Sequence, residues 1–131
     1  MSRVYLDACA IIYLVEGAHP VQQGVKTKLA QCHATALITA RLSRLECRVL
    51  PLRNKDTALL STYDSFFSAV GMSISELTAD VIERTTEIRV TYSFKTPDAL
   101  HLASAIGEKA DFFITGDSKL ARCKEIPVEV V

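Results

Sequence analysis

The chain contains short apolar segments that show no alternation of apolar and polar residues. They lie at residues 4–6, 36–38, 72–74, 112–115 and 128–131. A strand with one face in water alternates, whereas a parallel strand covered on both faces is apolar throughout. Because helical patterns separate these segments, the sequence predicts an α/β fold: a short parallel sheet flanked by helices on both faces.

Six segments between the predicted strands have helical spacing of apolar residues. Thr39 is expected to cap the helix that continues to Pro51, and Thr96 to cap a helix with Pro97 at its first position. The predicted helices cover residues 9–16, 21–32, 40–50, 54–70, 75–92 and 97–107.

Length and composition predict one domain, spanning residues 1–131, with a substantial apolar core. Fifteen basic and fifteen acidic residues give no net charge, which argues against a long basic surface for duplex DNA. The four cysteines lack zinc-ligand spacing and are expected to be reduced in a cytoplasmic protein. The apolar run at residues 8–15 is too short for a membrane span, and no signal peptide is indicated.

Two aspartates follow predicted strands. Asp7 comes at the end of the first strand, and Asp117 lies in the turn after the strand at 112–115. The carboxyl ends of parallel strands border the functional crevice of such folds, so both side chains are candidates for a common site. The alternative is an ordinary structural role, because Asp is frequent in turns and at helix starts.

Two further carboxylates lie on predicted helices. At about 100° per residue, Glu46 falls on the border of a core-facing stripe, between Leu42 and Val49, with the arginines of the same helix on the opposite face. A charge there needs a cation or must protonate, unless the side chain simply extends to solvent from the stripe edge. Asp98 lies in the first helical turn after Pro97, where a negative charge also complements the helix dipole.

If these four side chains share one crevice, they repel each other strongly. Two charges 4 Å apart cost about 4 kcal/mol at an effective dielectric constant near 20. A divalent cation would relieve that repulsion, and ligands that are all oxygen favour Mg²⁺ or Mn²⁺ over zinc. The set Asp7, Glu46, Asp98 and Asp117 therefore predicts a metal site suited to phosphodiester hydrolysis.

Four motifs resemble the PIN-domain nucleases, and in particular the VapC-like toxins of type II toxin–antitoxin systems. The resemblance covers nearly the whole chain. The motifs are V-Y-L-D-A-C-A-I-I-Y-L at 4–14, L-S-R-L-E at 42–46, K-T-P-D-A-L-H-L-A-S-A at 95–105 and I-T-G-D-S-K-L at 114–120.

The resemblance implies that Asp7, Glu46, Asp98 and Asp117 form the catalytic, metal-binding set, supported by the hydroxyl of Thr115. It further implies Mg²⁺- or Mn²⁺-dependent cleavage of RNA by a cytoplasmic homodimer that a cognate antitoxin inhibits. Many relatives carry Ser, Asn or Thr where this chain has Cys9.

Other interpretations stay open at this point. A phosphotransferase with a nucleophilic Asp after the first strand is disfavoured, because the common D-x-D pattern has Cys at its third position here. The chain could also be an RNA-processing nuclease without an antitoxin, or a non-catalytic interaction module. His101, one turn after Asp98, is interpreted as structural or as orienting a neighbouring group rather than as a general base.

Overall fold

The computed structural model describes all residues from 1 to 131 and contains one five-stranded sheet. The strands are β1 (Ser2–Leu6), β2 (Ala34–Ala40), β3 (Met72–Ser75), β4 (Phe112–Thr115) and β5 (Val128–Val130). The helices are α1 (Ala8–Glu16), α2 (His19–Gln31), α3 (Arg41–Arg53), α4 (Thr57–Phe67), α5 (Ala79–Tyr92) and α6 (Thr96–Gly107). A short 3-10 helix at Ser118–Arg122 lies between β4 and β5.

All the strand pairs are parallel, and the order across the sheet is β3-β2-β1-β4-β5. From β1 the chain adds β2 and then β3 on one side of the sheet. The next strand, β4, pairs with the opposite edge of β1. The strand order therefore reverses between β1 and β4. In open parallel sheets the functional crevice opens at such a point, beyond the carboxyl ends of the two strands.

The sheet has an apolar core on each face, as the unbroken apolar strands predicted. Val4 and Leu6 of β1 pack into the core beneath α1 to α4, while Tyr5 between them packs into the core beneath α5 and α6. All three side chains are fully buried. The prediction of a parallel sheet covered on both faces is confirmed.

Both predicted helix caps are wrong. Thr39 lies inside β2, where its hydroxyl bonds the carbonyl oxygen of Leu6 at 2.7 Å, and α3 begins after Ala40 without a side-chain cap. Thr96 is already helical, and its hydroxyl accepts from Arg89 at 3.1 Å. In each case the threonine hydroxyl bonds a residue from another element of the fold and does not accept from an amide at the start of the helix.

Several helix bounds also differ from the prediction. The helix predicted from residue 75 begins only at Ala79, after the hydroxyl of Thr78 caps it, because Ser75 still pairs within the sheet. The helix expected to stop at Pro51 continues to Arg53, with Pro51 buried in its last turns. The 3-10 helix after β4 was not predicted. All four cysteines are free, and no helix is long and apolar enough to cross a membrane.

Candidate active site

Asp7 lies where β1 ends and α1 begins. Its backbone is extended, and its Oδ1 accepts a hydrogen bond from the amide of Ala10 at 2.9 Å, so it caps the helix. Its Oδ2 accepts from the hydroxyl of Thr115 at 2.5 Å. The side chain is buried, and burial raises the pKa of Asp7, although the bonds from Thr115 and Ala10 act in the opposite direction. Asp7 therefore occupies a position where burial disfavours the ionised form of its carboxyl group.

Thr115 connects this aspartate to the loop after β4. The residue is fully buried, and its oxygen accepts the amide of Asp117 at 3.0 Å while its proton goes to Asp7. Asp117 in turn caps the 3-10 helix, since its Oδ1 accepts from the amide of Lys119 at 2.9 Å. One hydroxyl therefore holds two of the predicted site residues, and the Oδ2 of Asp117 has no partner in the protein.

Gly116 separates Thr115 from Asp117 and is required by close packing. A Cβ atom at this position would lie 2.6 Å from the ring of Tyr13 and 2.7 Å from the sulfur of Cys9. Cys9 thus packs against the loop that carries Asp117 and forms no hydrogen bond with Asp7. At this position the chain uses the thiol to fill space beside the loop.

Glu46 projects from α3 towards α6. Its Oε1 lies 2.7 Å from Nε2 of His101, and Nδ1 of the same ring lies 2.7 Å from the hydroxyl of Tyr5. The imidazole is buried, and the Glu46 side chain is about one-third exposed. The sequence placed Glu46 on the border of a core-facing stripe, between Leu42 and Val49. The stripe is wrong, because α3 exposes Leu45 and Val49 and buries Ser43 and Cys47, but Glu46 is half-buried at the border of the true buried face.

Asp98 lies half-buried in the first turn of α6, with no hydrogen bond in the protein. Burial raises its pKa most, followed by the charge of Asp117; His101 lowers the pKa, and the charge of Glu46 raises it by less than His101 lowers it. Asp98 also raises the pKa of Asp7, to a lesser extent than burial does. Asp98 is thus the carboxylate whose charge interacts with those of Asp7, Glu46 and Asp117.

A cavity of about 190 Å³ opens beside two of these carboxylates. Asp98 and Asp117 line it together with the basic side chains of Lys95, Lys119 and Arg122. Neither lysine forms a salt bridge with a protein carboxylate. The cavity therefore presents negative ligands and uncommitted positive charges side by side, an arrangement suited to an ion and a phosphate.

The structure places Asp98 and Asp117 in one cavity, and the charge of Asp98 also acts on Asp7 and is acted on by Glu46, but the four carboxylates do not form a closed ligand shell. No three His, Cys, Asp or Glu side chains meet as a group that could hold a metal ion as they stand. The donor set nevertheless fits Mg²⁺ or Mn²⁺, because every ligand is a carboxylate oxygen and the oxygens of Asp98 have no protein partner. Small side-chain rotations, or substrate oxygens and water, would have to complete the coordination.

The protein is thus a small α/β domain with a parallel sheet, in which Asp7 and Asp117 follow the two strands, β1 and β4, between which the strand order reverses. The chain belongs to the PIN domain family, whose sequence model matches residues 4–126. No curated protein matches the sequence.

Solved structures share the fold over nearly their full length. A chain of VapBC2 from Rickettsia felis, bound to a DNA fragment from its promoter, matches with a TM-score of 0.78 at 18% identity and 98% coverage of both chains. VapC20 of Mycobacterium tuberculosis, a Sarcin-Ricin loop cleaving toxin, matches with a TM-score of 0.73 at 15% identity, over 91% of this chain and 93% of that one. A chain of DNA-bound VapBC from Salmonella typhimurium matches with a TM-score of 0.66 at 14% identity, over 99% and 98%. At these identities the likeness shows a common fold.

Proposed function

We propose that residues 1–131 form one PIN-type nuclease domain that hydrolyses RNA phosphodiester bonds with a bound Mg²⁺ or Mn²⁺. The observation that carries this proposal is a buried carboxylate, Asp7, at the reversal of the strand order, whose pKa the charge of Asp98 raises in addition to burial. A buried ionised carboxylate lowers the stability of the metal-free protein, and a bound cation offsets that loss of stability. RNA as substrate rests on the likeness to the VapC20 toxin.

Asp7, Glu46, Asp98 and Asp117 would hold the ion. When bound, the ion would supply a water of lowered pKa and offset the charge that develops on the attacked phosphate. The chain itself supplies order: Thr115 links Asp7 to the Asp117 loop, and the hydrogen bond from the amide of Ala10 fixes the rotamer of the Asp7 carboxylate at the start of α1. Preorganised ligands of this kind need little rearrangement during the reaction.

We also infer that the chain is the toxin of a toxin–antitoxin pair, forms a homodimer and acts in the cytoplasm. Several of the solved structures with this fold are VapBC complexes. In addition, α3 exposes four large apolar side chains, a feature typical of a protein–protein interface. They are Leu45, Val49, Leu50 and Leu52.

Removal of divalent metal should abolish RNA cleavage. Purified protein is expected to cut RNA with Mg²⁺ or Mn²⁺, to lose that activity in EDTA, and to regain it when excess Mn²⁺ is added. Gel analysis of a labelled oligoribonucleotide measures this, and an Asp98→Asn preparation controls for contaminating ribonuclease. Cleavage that continues in EDTA, or in the Asp98→Asn preparation, would contradict the proposed function.

Lys95 and Lys119 are expected to bind RNA phosphates beside the carboxylates, because both line the cavity and neither is paired. Replacing either with Gln should raise KM about fivefold with kcat nearly unchanged, and should lower the salt slope of kcat/KM by roughly 0.7. The matched control is Lys26→Gln, an exposed lysine of α2 outside the cavity. Equal effects of all three substitutions would point to net charge instead of a local phosphate contact.

A further inference from the structure

His101 makes hydrogen bonds to two other elements of the fold. Its ring sits on α6, one turn after Asp98, and is almost fully buried. Nε2 lies 2.7 Å from Oε1 of Glu46 on α3, and Nδ1 lies 2.7 Å from the hydroxyl of Tyr5 on β1. Both ring nitrogens are therefore satisfied by named partners, and neither is available to bind an ion or to accept a proton from substrate.

The direction of the bond to Glu46 follows from the chemistry of the two groups. An ionised carboxylate only accepts hydrogen bonds, so Nε2 of His101 must donate. This holds for the neutral ring, in which Nδ1 accepts the hydroxyl proton of Tyr5, and equally for the protonated ring, in which both nitrogens donate. In either state the ring occupies Oε1 of Glu46 and leaves Oε2 without a partner.

Tyr5, His101 and Glu46 connect three of the segments that carry the candidate carboxylates. Tyr5 precedes Asp7 by two residues on β1, His101 follows Asp98 on α6, and Glu46 is itself the carboxylate of α3. The Tyr5 ring is fixed in its turn, since it is fully buried and stacks on Phe113 at 5.1 Å. Without the imidazole, the Glu46 side chain would have no hydrogen bond in the protein to set its rotamer. The linkage therefore fixes the position of Glu46 relative to Asp7 and Asp98.

We propose that His101 is a positioning residue, which holds Glu46 so that its free oxygen faces the ion site, with Tyr5 fixing the ring from behind. This inference rests on the proposed metal-dependent function. Partners of metal ligands commonly act in this way, and their loss costs about 10- to 100-fold in metal affinity.

The test is a titration of Mn²⁺ into the purified protein, with free Mn²⁺ followed by electron paramagnetic resonance. His101→Leu should weaken Mn²⁺ binding about tenfold. His101→Gln, which places an amide donor near the position of Nε2, should bind within about threefold of wild type. Tyr5→Phe removes only the hydroxyl and should weaken binding about fivefold.

Ser104→Ala is the matched control, because Ser104 is a buried polar residue of the same helix whose hydroxyl has no partner. It should leave Mn²⁺ affinity unchanged, and thermal unfolding in EDTA should show that each variant is folded. Equal affinity of wild type and His101→Leu would overturn the proposal. So would a His101→Gln protein that binds as weakly as His101→Leu, since the ring would then act by packing alone.

Two other outcomes are distinct from these. A wild-type protein that binds no Mn²⁺ would overturn the proposed metal-dependent function, and this inference with it. If His101→Leu does not fold, Tyr5→Phe decides, because it keeps the buried ring and its stacking. A folded Tyr5→Phe with wild-type affinity would then overturn the positioning role.

Discussion

Asp7→Asn is expected to lower the rate of RNA cleavage by about 1000-fold while leaving the fold intact. The amide has the size of the carboxylate, and its oxygen can still accept from Ala10 at the start of α1. What it lacks is the negative charge that would bind the ion at the centre of the crevice. Cleavage of a fluorescent oligoribonucleotide under saturating Mn²⁺ measures the loss.

Although Asp7→Asn lowers the cleavage rate, it should not lower the stability of the metal-free protein. Burial raises the pKa of Asp7, so its protonated form stabilises the fold below the ordinary pKa, and that contribution disappears as the pH rises through the raised value. At neutral pH the ionised side chain then lowers the stability of the metal-free protein. Asp7→Asn should therefore unfold in EDTA at or above the wild-type temperature at neutral pH, with a smaller difference in acid.

The matched control is Asp80→Asn, an exposed aspartate in the first turn of α5. It should retain wild-type cleavage. Expression of the wild-type chain without a partner should arrest growth, and expression of Asp7→Asn should not. A folded Asp7→Asn protein that keeps a tenth of the wild-type rate would remove Asp7 from the catalytic set.

The strands could be predicted because burial on both faces leaves a direct mark in the sequence. Val4, Tyr5 and Leu6 are consecutive apolar residues, and the structure sends them to two different cores. Asp7 and Asp117 could be placed for the same reason, because a residue that directly follows a parallel strand lies at the edge of the sheet formed by the carboxyl ends of the strands.

The face of α3 could not be predicted, because the sequence does not show which apolar residues a helix buries. Leu45 and Val49 are exposed, whereas the smaller Ser43 and Cys47 face the core. A helical wheel that assigns the large apolar residues to the core therefore misplaces the buried face of α3, although Glu46 lies at the border of that face in both cases. Its partner His101 lies 55 residues away, and only the fold brings the two together, because α6 packs against β2, the strand from which α3 continues.

Thr115→Val should affect both stability and catalysis, because a single hydroxyl serves two site residues. Its proton goes to Asp7 at 2.5 Å and its oxygen accepts the amide of Asp117 at 3.0 Å. Valine has nearly the same shape but no polar atom, so the buried Asp7 carboxylate and the half-buried amide of Asp117 each lose a bond. We expect a loss of about 1–3 kcal/mol in the free energy of unfolding. Cleavage should fall by about 10- to 100-fold.

Thr115→Val should also shift the pH dependence of RNA cleavage. The hydrogen bond from Thr115 lowers the pKa of Asp7, against the larger effect of burial, so its removal must raise that pKa further. Asp7 has to be ionised to bind a cation, and the acidic limb of the pH–rate profile should therefore move to higher pH in Thr115→Val. Thr115→Ser keeps the hydroxyl and should keep the wild-type profile.

Thr85→Val serves as the matched control, since Thr85 is also a buried threonine, on α5, whose hydroxyl donates to the carbonyl oxygen of Val81 at 2.7 Å. It should lower stability modestly without moving the pH profile. A Thr115→Val protein that is slower but has an unshifted acidic limb would mean that the charge of Asp7 does not control the reaction. The ion would then have to be held by Glu46, Asp98 and Asp117 alone.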